Sequence, residues 1–249
     1  MSPDRLPPRW RSDRLLAEEW PRLRGPRVVG DDHGFVVISQ HRDGPDVAGY
    51  GDDERPARIV ADLVAAGELA PPLAWLSLPR TADLPATVCE SLAVRPLPGW
   101  DWMSVDQPPT PAGPDGVVRL DPVADAEVIR DCLAEANPTT EADPAGRHEG
   151  GWWGAWEGDR LAGVIGAGTR LGADGRPQRW HLHGLGVRPS VRARGLGTAL
   201  MVAATRGGFE AGAPWVSLGV WADNARAIAI YRRLGYHTDH QRRSYRPER

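Results

Sequence analysis

"RWHLHGLGVRPSVRARGLGTALM", residues 179–201, passes from an alternating apolar strand through a proline, arginine and glycine turn into an Ala/Leu-rich helix. Glycine at a strand-to-helix turn lets the backbone approach a ligand closely. The first N–H groups of a helix have no internal partner and sit at the positive end of its dipole. Arg192 and Arg194 add charge beside Gly195 and Gly197, so the turn suits a pyrophosphate. No G-x-x-x-x-G-K-[ST] occurs, which excludes a nucleotide triphosphatase loop of that type. Gly184, Gly186 and Gly195 are wrongly spaced for G-x-G-x-x-G. His181 and His183 stand two apart on the strand, so both side chains are expected on one face.

Working outward, "WVSLGVW" from Trp215 reads as a further strand. "NARAIAIYRRLGY" reads as a helix capped by Asn224, with Ala227, Ile230, Tyr231 and Leu234 on its apolar stripe and Gly235 ending it. "HTDHQRRSYRP" makes a last strand. Upstream, "EGGWWGAWEGDRLAGVIGAGTRL" reads as two antiparallel strands joined at residues 157–159. "DPVADAEVIRDCLAEA" reads as a helix with Asp121 as cap and Pro122 in its first turn. "DQPPTPAGPDG", residues 106–116, is an expected extended linker. The division is therefore 1–110 and 115–249, both mixed α/β.

In the first half "RVVGDDHGFVVISQ" suggests a hairpin, "ERPARIVADLVAAGEL" an amphipathic helix, and "LAWLSL" and "GWDWMSV" strands. "HRDGPDVAGYGDDERP" reads as a solvated loop. "WLSLPRTAD" from Trp75 and "WVSLGVWAD" from Trp215 share five residues in register, so the first half is either a degenerate copy of the second or an unrelated small domain.

Composition narrows the function classes. A net charge of −3 gives no general pull toward nucleic acid or acidic membranes. No apolar run reaches the roughly 18 residues of a membrane span and no signal peptide is visible, so the expected location is cytoplasmic. Cys89 and Cys132 lack a partner pattern and are expected to be reduced. His148, His237 and His240 have no metal-ligand spacing, and no metal is expected. Trp152, Trp153 and Trp156 suit either an acceptor pocket or the core. Nothing in the sequence bears on oligomeric state.

V-x-P-x-x-R-x-x-G-x-G, from Val187 to Gly197, resembles the acetyl-CoA motif of the GNAT N-acetyltransferases. "DNARAIAIYRRLGY" resembles their second hallmark, N-x-x-A-x-x-x-Y-x-x-L-G-[FY]. The likeness spans about residues 115–249 and implies the GNAT fold there. It implies that the amides of Arg192, Ala193, Arg194, Gly195, Leu196, Gly197 and Thr198 hold the CoA pyrophosphate. Leu185, Gly186 and Val187 would take the pantetheine arm along a bulged strand edge, and Asn224 would assist the cofactor. "HLHGLGV" also resembles the "HLHALAV" of arylalkylamine N-acetyltransferases, whose histidines line a water-linked proton route.

The implied chemistry sets three demands: a base to deprotonate the amine, a donor for the oxyanion and an acid for the CoA thiolate. His181 or His183 would serve as base and Tyr231 as acid, although the stripe position of Tyr231 equally suits a core residue. The expected function is transfer of acetyl from acetyl-CoA to a primary amine of a small molecule or peptide, by direct attack. The alternatives are a tandem acyltransferase of mycothiol-synthase type and a non-catalytic acyl-CoA sensor. A duplicated first half would lack the working parts, with Leu84 and Ser91 opposite Asn224 and Tyr231 and aspartates near position 52, so it is expected to bind no cofactor.

Overall fold

The computed structural model describes residues 5–51, 53–110, 116–146, 148–171, 175 and 177–248. The expected linker at 106–116 lies partly outside these, at 111–115. Contacts divide the chain into two units, one of Met1–Trp102, Trp221–Asp223 and Asp239–Arg249, the other of Met103–Val220 and Asn224–Thr238.

The first unit opens with helix α1 (Arg14–Glu19), capped by Asp13, which accepts from the Leu16 amide. Strands β1 (Arg27–Asp31) and β2 (Gly34–Ser39) form the expected hairpin, whose turn is held by the His33 amide on Asp31. Strand β3 (Asp46–Gly51) pairs antiparallel with β2. This corrects the expected solvated loop: Val47 and Tyr50 are 1% and 2% exposed at the heart of the sheet. Helix α2 (Arg55–Ala65) lays Ala57, Val60 and Leu63 into the core, and β4 (Trp75–Pro79) returns parallel to β3. Helix α3 (Ala86–Ser91) leads to β5 (Val94–Val105). The neighbour of β4 is the last strand of the chain, β11 (His237–Pro247), in antiparallel register from Arg242 on Pro79 to Tyr245 on Leu76.

The second unit begins with β6 (Val117–Leu120). Helix α4 (Ala126–Ala136) starts later than expected, with Asp125 at its N-cap position. Asp121 instead accepts from the amides of Val123 and Ala124, closing a separate turn ahead of the helix. Strands β7 (Glu149–Glu157), β8 (Arg160–Leu171) and β9 (Pro177–Val187) are antiparallel neighbours. Helix α5 (Leu196–Glu210) crosses over to β10 (Val216–Trp221), which runs parallel to β9, and α6 (Ala225–Arg233) follows.

Alternation along the strands sorts this core into two faces. Trp152 and Val164 pack with Ile129, Cys132 and Leu133 of α4, whereas Trp153 and Ile165 pack with Leu200, Met201 and Ala204 of α5. Both units run helix, three antiparallel strands, crossover helix, parallel strand, helix. They differ at the strand-to-helix link, which is residues 52–54 in the first unit and 188–195 in the second.

Helix α6 tests the capping logic directly. Asn224 Oδ1 accepts from the Ala227 amide at 3.1 Å. Asn224→Ala is expected to lower unfolding free energy by about 1 kcal/mol in urea titrations. An unchanged midpoint would show that tertiary packing alone holds the helix start.

Candidate active site

Strand β9 parts from its neighbours where the motif begins. Its ladder with β10 consists of His181 on Ser217 and Leu182 on Leu218, after which both strands run on without further paired register. On the other side the register with β8 slips: Gly186 faces Val164 and His183 faces Gly166, so Gly184 and Leu185 together oppose Ile165. This is a β-bulge, with Gly184 at φ +62°. A Cβ there would lie 2.8 Å from that of Ala142, so glycine meets both the twist and the close approach. Asn137, just past α4, donates Nδ2–H to the Leu185 carbonyl at 3.2 Å.

The turn beyond β9 is folded by arginines. Arg188 is buried, donates to the Leu161 carbonyl at 2.8 Å, and pairs with Asp131 and Glu135 of α4. Arg192 donates to the carbonyls of Val187 at 2.9 Å and Ala136 at 3.1 Å, while Arg194 pairs with Glu157. The side chain of Arg192 therefore staples the loop. Ala193 (φ +66°) and Gly195 (φ +83°) both adopt left-handed backbone. Gly195, at the N-cap of α5, makes no side-chain cap hydrogen bond, and the first amides of a helix have no partner within it. The link thus sets two left-handed residues against the open N-terminus of α5.

The two histidines have separate partners. His181 Nδ1 lies 2.9 Å from Ser217 Oγ. His183 Nε2 lies 3.3 Å from Glu149 Oε2, and its ring meets Trp152 edge-on at 5.4 Å between centroids. Among the described residues, Trp152 Nε1 and His183 Nδ1 are buried with no hydrogen-bond partner, and Glu149 Oε2 has no closer contact than the His183 ring. Tyr231 sits in the α5-side core and tilts against Tyr236 at 6.1 Å. Burial pushes its phenol up to about 12, which keeps it protonated at neutral pH.

Residues 121–236 match the sequence pattern of the acetyltransferase (GNAT) family. The segment is a GNAT-family domain.

The whole chain is similar in fold to a protein assigned to the GNAT acetyltransferases from Novosphingobium aromaticivorans, at 20% identity, full coverage of both chains and a TM-score of 0.57. It is also similar to a GCN5-related N-acetyltransferase from Kribbella flavida, at 18% identity over 94% of this chain and 95% of that one, TM-score 0.57. A third, from Sphaerobacter thermophilus, gives 23% identity over 87% and 76%, TM-score 0.55. No curated protein matches the chain in sequence.

Within the GNAT domain, Leu185, Gly186, Val187 and residues 192–198 follow one another along a single bulged edge and turn. Asn224 stands apart from that run and spends its side chain on capping α6. Sequence reasoning missed Glu149 and Asn137, which meet β9 through folding from 34 and 48 positions away. Trp152 and Trp153 are core residues, and Trp156 is 39% exposed. Burial pushes the thiols of Cys89 and Cys132 up, against nucleophilic use. Among the described residues no cluster of three or more His, Cys, Asp or Glu side chains could hold a metal, and no helix is long and apolar enough to cross a membrane.

Proposed function

We propose that the GNAT domain transfers acetyl from acetyl-CoA to a primary amine by direct attack. The observation that carries this reading is the bulged, partly unpaired edge of β9 leading straight into a left-handed anion cradle at the start of α5. The edge suits hydrogen bonding to the pantetheine amides, and the cradle suits the pyrophosphate.

His183 is the better base. A carboxylate at Nε2 favours the tautomer that carries its proton there, leaving Nδ1 as an acceptor. The buried, unpartnered Nδ1 of His183 suits a water or the reacting amine. His183 Nδ1 takes a proton from the ammonium through a water. The free amine attacks the thioester carbonyl, the C–N bond forms, and an N–H near Leu185 stabilises the oxyanion. The C–S bond then breaks, Tyr231 protonates the departing thiolate, and the amide nitrogen gives up its second proton through water to restore the phenol. His181, tied to Ser217, positions the strand beside it.

Titrating acetyl-CoA into the protein and screening an amine and peptide panel for acetylated product tests the reading. Binding without turnover on any amine would sink it in favour of an acyl-CoA sensor. Gly195→Ala isolates the cradle, because left-handed backbone costs a Cβ residue about 1–2 kcal/mol. Acetyl-CoA affinity by calorimetry should fall roughly 5- to 30-fold. Equal affinity would remove the loop from cofactor binding.

A further inference from the structure

The first unit encloses a cavity of about 630 Å³ that the proposed transfer does not use. Leu15, Val37 and Ala48 give it apolar wall, and Trp75 and Trp100 give it aromatic sides. Set into that wall is Arg242 of β11, 2% exposed.

The guanidinium stacks over Tyr50 at 4.9 Å from the ring centroid. Nε donates to Ser77 Oγ at 3.3 Å, one terminal nitrogen to the Gly49 carbonyl at 2.6 Å, and the other to the Ser77 carbonyl at 3.0 Å. Arginine carries five N–H donors, so two have no acceptor among the described residues, and every acceptor present is neutral. The nearest carboxylates are engaged elsewhere: Asp13 with His240 at 2.8 Å and Glu19 with the Tyr50 hydroxyl at 3.5 Å. A buried cation without an ion partner is expensive unless something anionic joins it. Four arginines line the cavity against two carboxylates, Glu19 and Asp46, and burial raises the pKa of Asp46. The local field therefore favours an anion.

We propose that this cavity is a second ligand site, for a small organic carboxylate with an aromatic or branched apolar body, whose carboxylate takes the spare donors of Arg242. The volume falls within the range of small-molecule pockets. A single fully buried guanidinium suits a monoanion better than a phosphate.

Ligand-observed fluorine NMR on the full chain tests this with 4-fluorobenzoate, 4-fluorobenzyl alcohol and inorganic phosphate. The benzoate should broaden and bind at least about tenfold more tightly than the alcohol, as a charge-assisted pair predicts, and phosphate should not displace it. Ala48→Leu, which fills the cavity, should abolish the broadening in a folded protein. If that variant unfolds, Trp75→Ala on the exposed rim should weaken benzoate binding several-fold. Equal binding of the alcohol, displacement by phosphate, no broadening with the wild type, or full broadening in folded Ala48→Leu would each overturn the proposal. In the absence of a folded Ala48→Leu, unchanged binding in Trp75→Ala would do the same.

Discussion

Tyr231→Phe is expected to lower turnover about 10- to 1000-fold while leaving acetyl-CoA affinity within about twofold. The phenol ring belongs to the buried core beside Leu182, Leu218 and Tyr236, and phenylalanine preserves that packing. Only the proton donor is lost. Burial is the single cause that raises this phenol to about 12. A raised pKa means the group stays protonated below that value and loses its proton only above it. Tyr231 should therefore add no descending limb to the pH–rate profile below about pH 10. Steady-state kinetics of both proteins across that window settle the point. Unchanged turnover would return Tyr231 to a purely structural role.

Trp152→Ala carries the largest expected cost in stability, about 3–5 kcal/mol, typical of deleting a buried aromatic side chain. Trp152 is fully buried against α4 and edge-on to His183, with its six-membered ring beneath the Gly184 bulge. The cavity left behind would free the His183 ring, so activity should fall by more than the folded fraction accounts for. Chemical denaturation with turnover measured on the same samples separates the two effects. A destabilised variant with full activity per folded molecule would show that Trp152 supports the fold and not the histidine.

What could be read from the chain was mostly local. The 179–201 stretch discloses its turn because glycine and arginine spacing is written within one segment, and the structure puts a bulge and three left-handed residues there. Asn224 was legible as a helix cap for the same reason. Strand β3 was not, since "HRDGPDVAGYGDDERP" has polar flanks and glycines that read as loop until β2 and β4 pair on either side. The start of α4 was missed because Asp121 and Asp125 are both plausible caps four residues apart, and only the amide partners distinguish them. Glu149 carried no signal at all. An acidic residue at the head of a glycine-rich strand acquires meaning only when folding sets it against His183.

Strand β11 has a consequence for the order of synthesis. The first unit needs Arg242 and Tyr245 to complete the edge of β4, and both are synthesised after the second unit. Chains normally mature in vectorial order, N-terminal part first. Here the N-terminal unit must wait with one edge of β4 open while the second unit is translated. Its last strand closes the longest loop in the molecule, a slow, high-contact-order step. Nascent chains stalled before residue 237 should thus expose the β4 edge to protease, and chains extended through β11 and released should protect it.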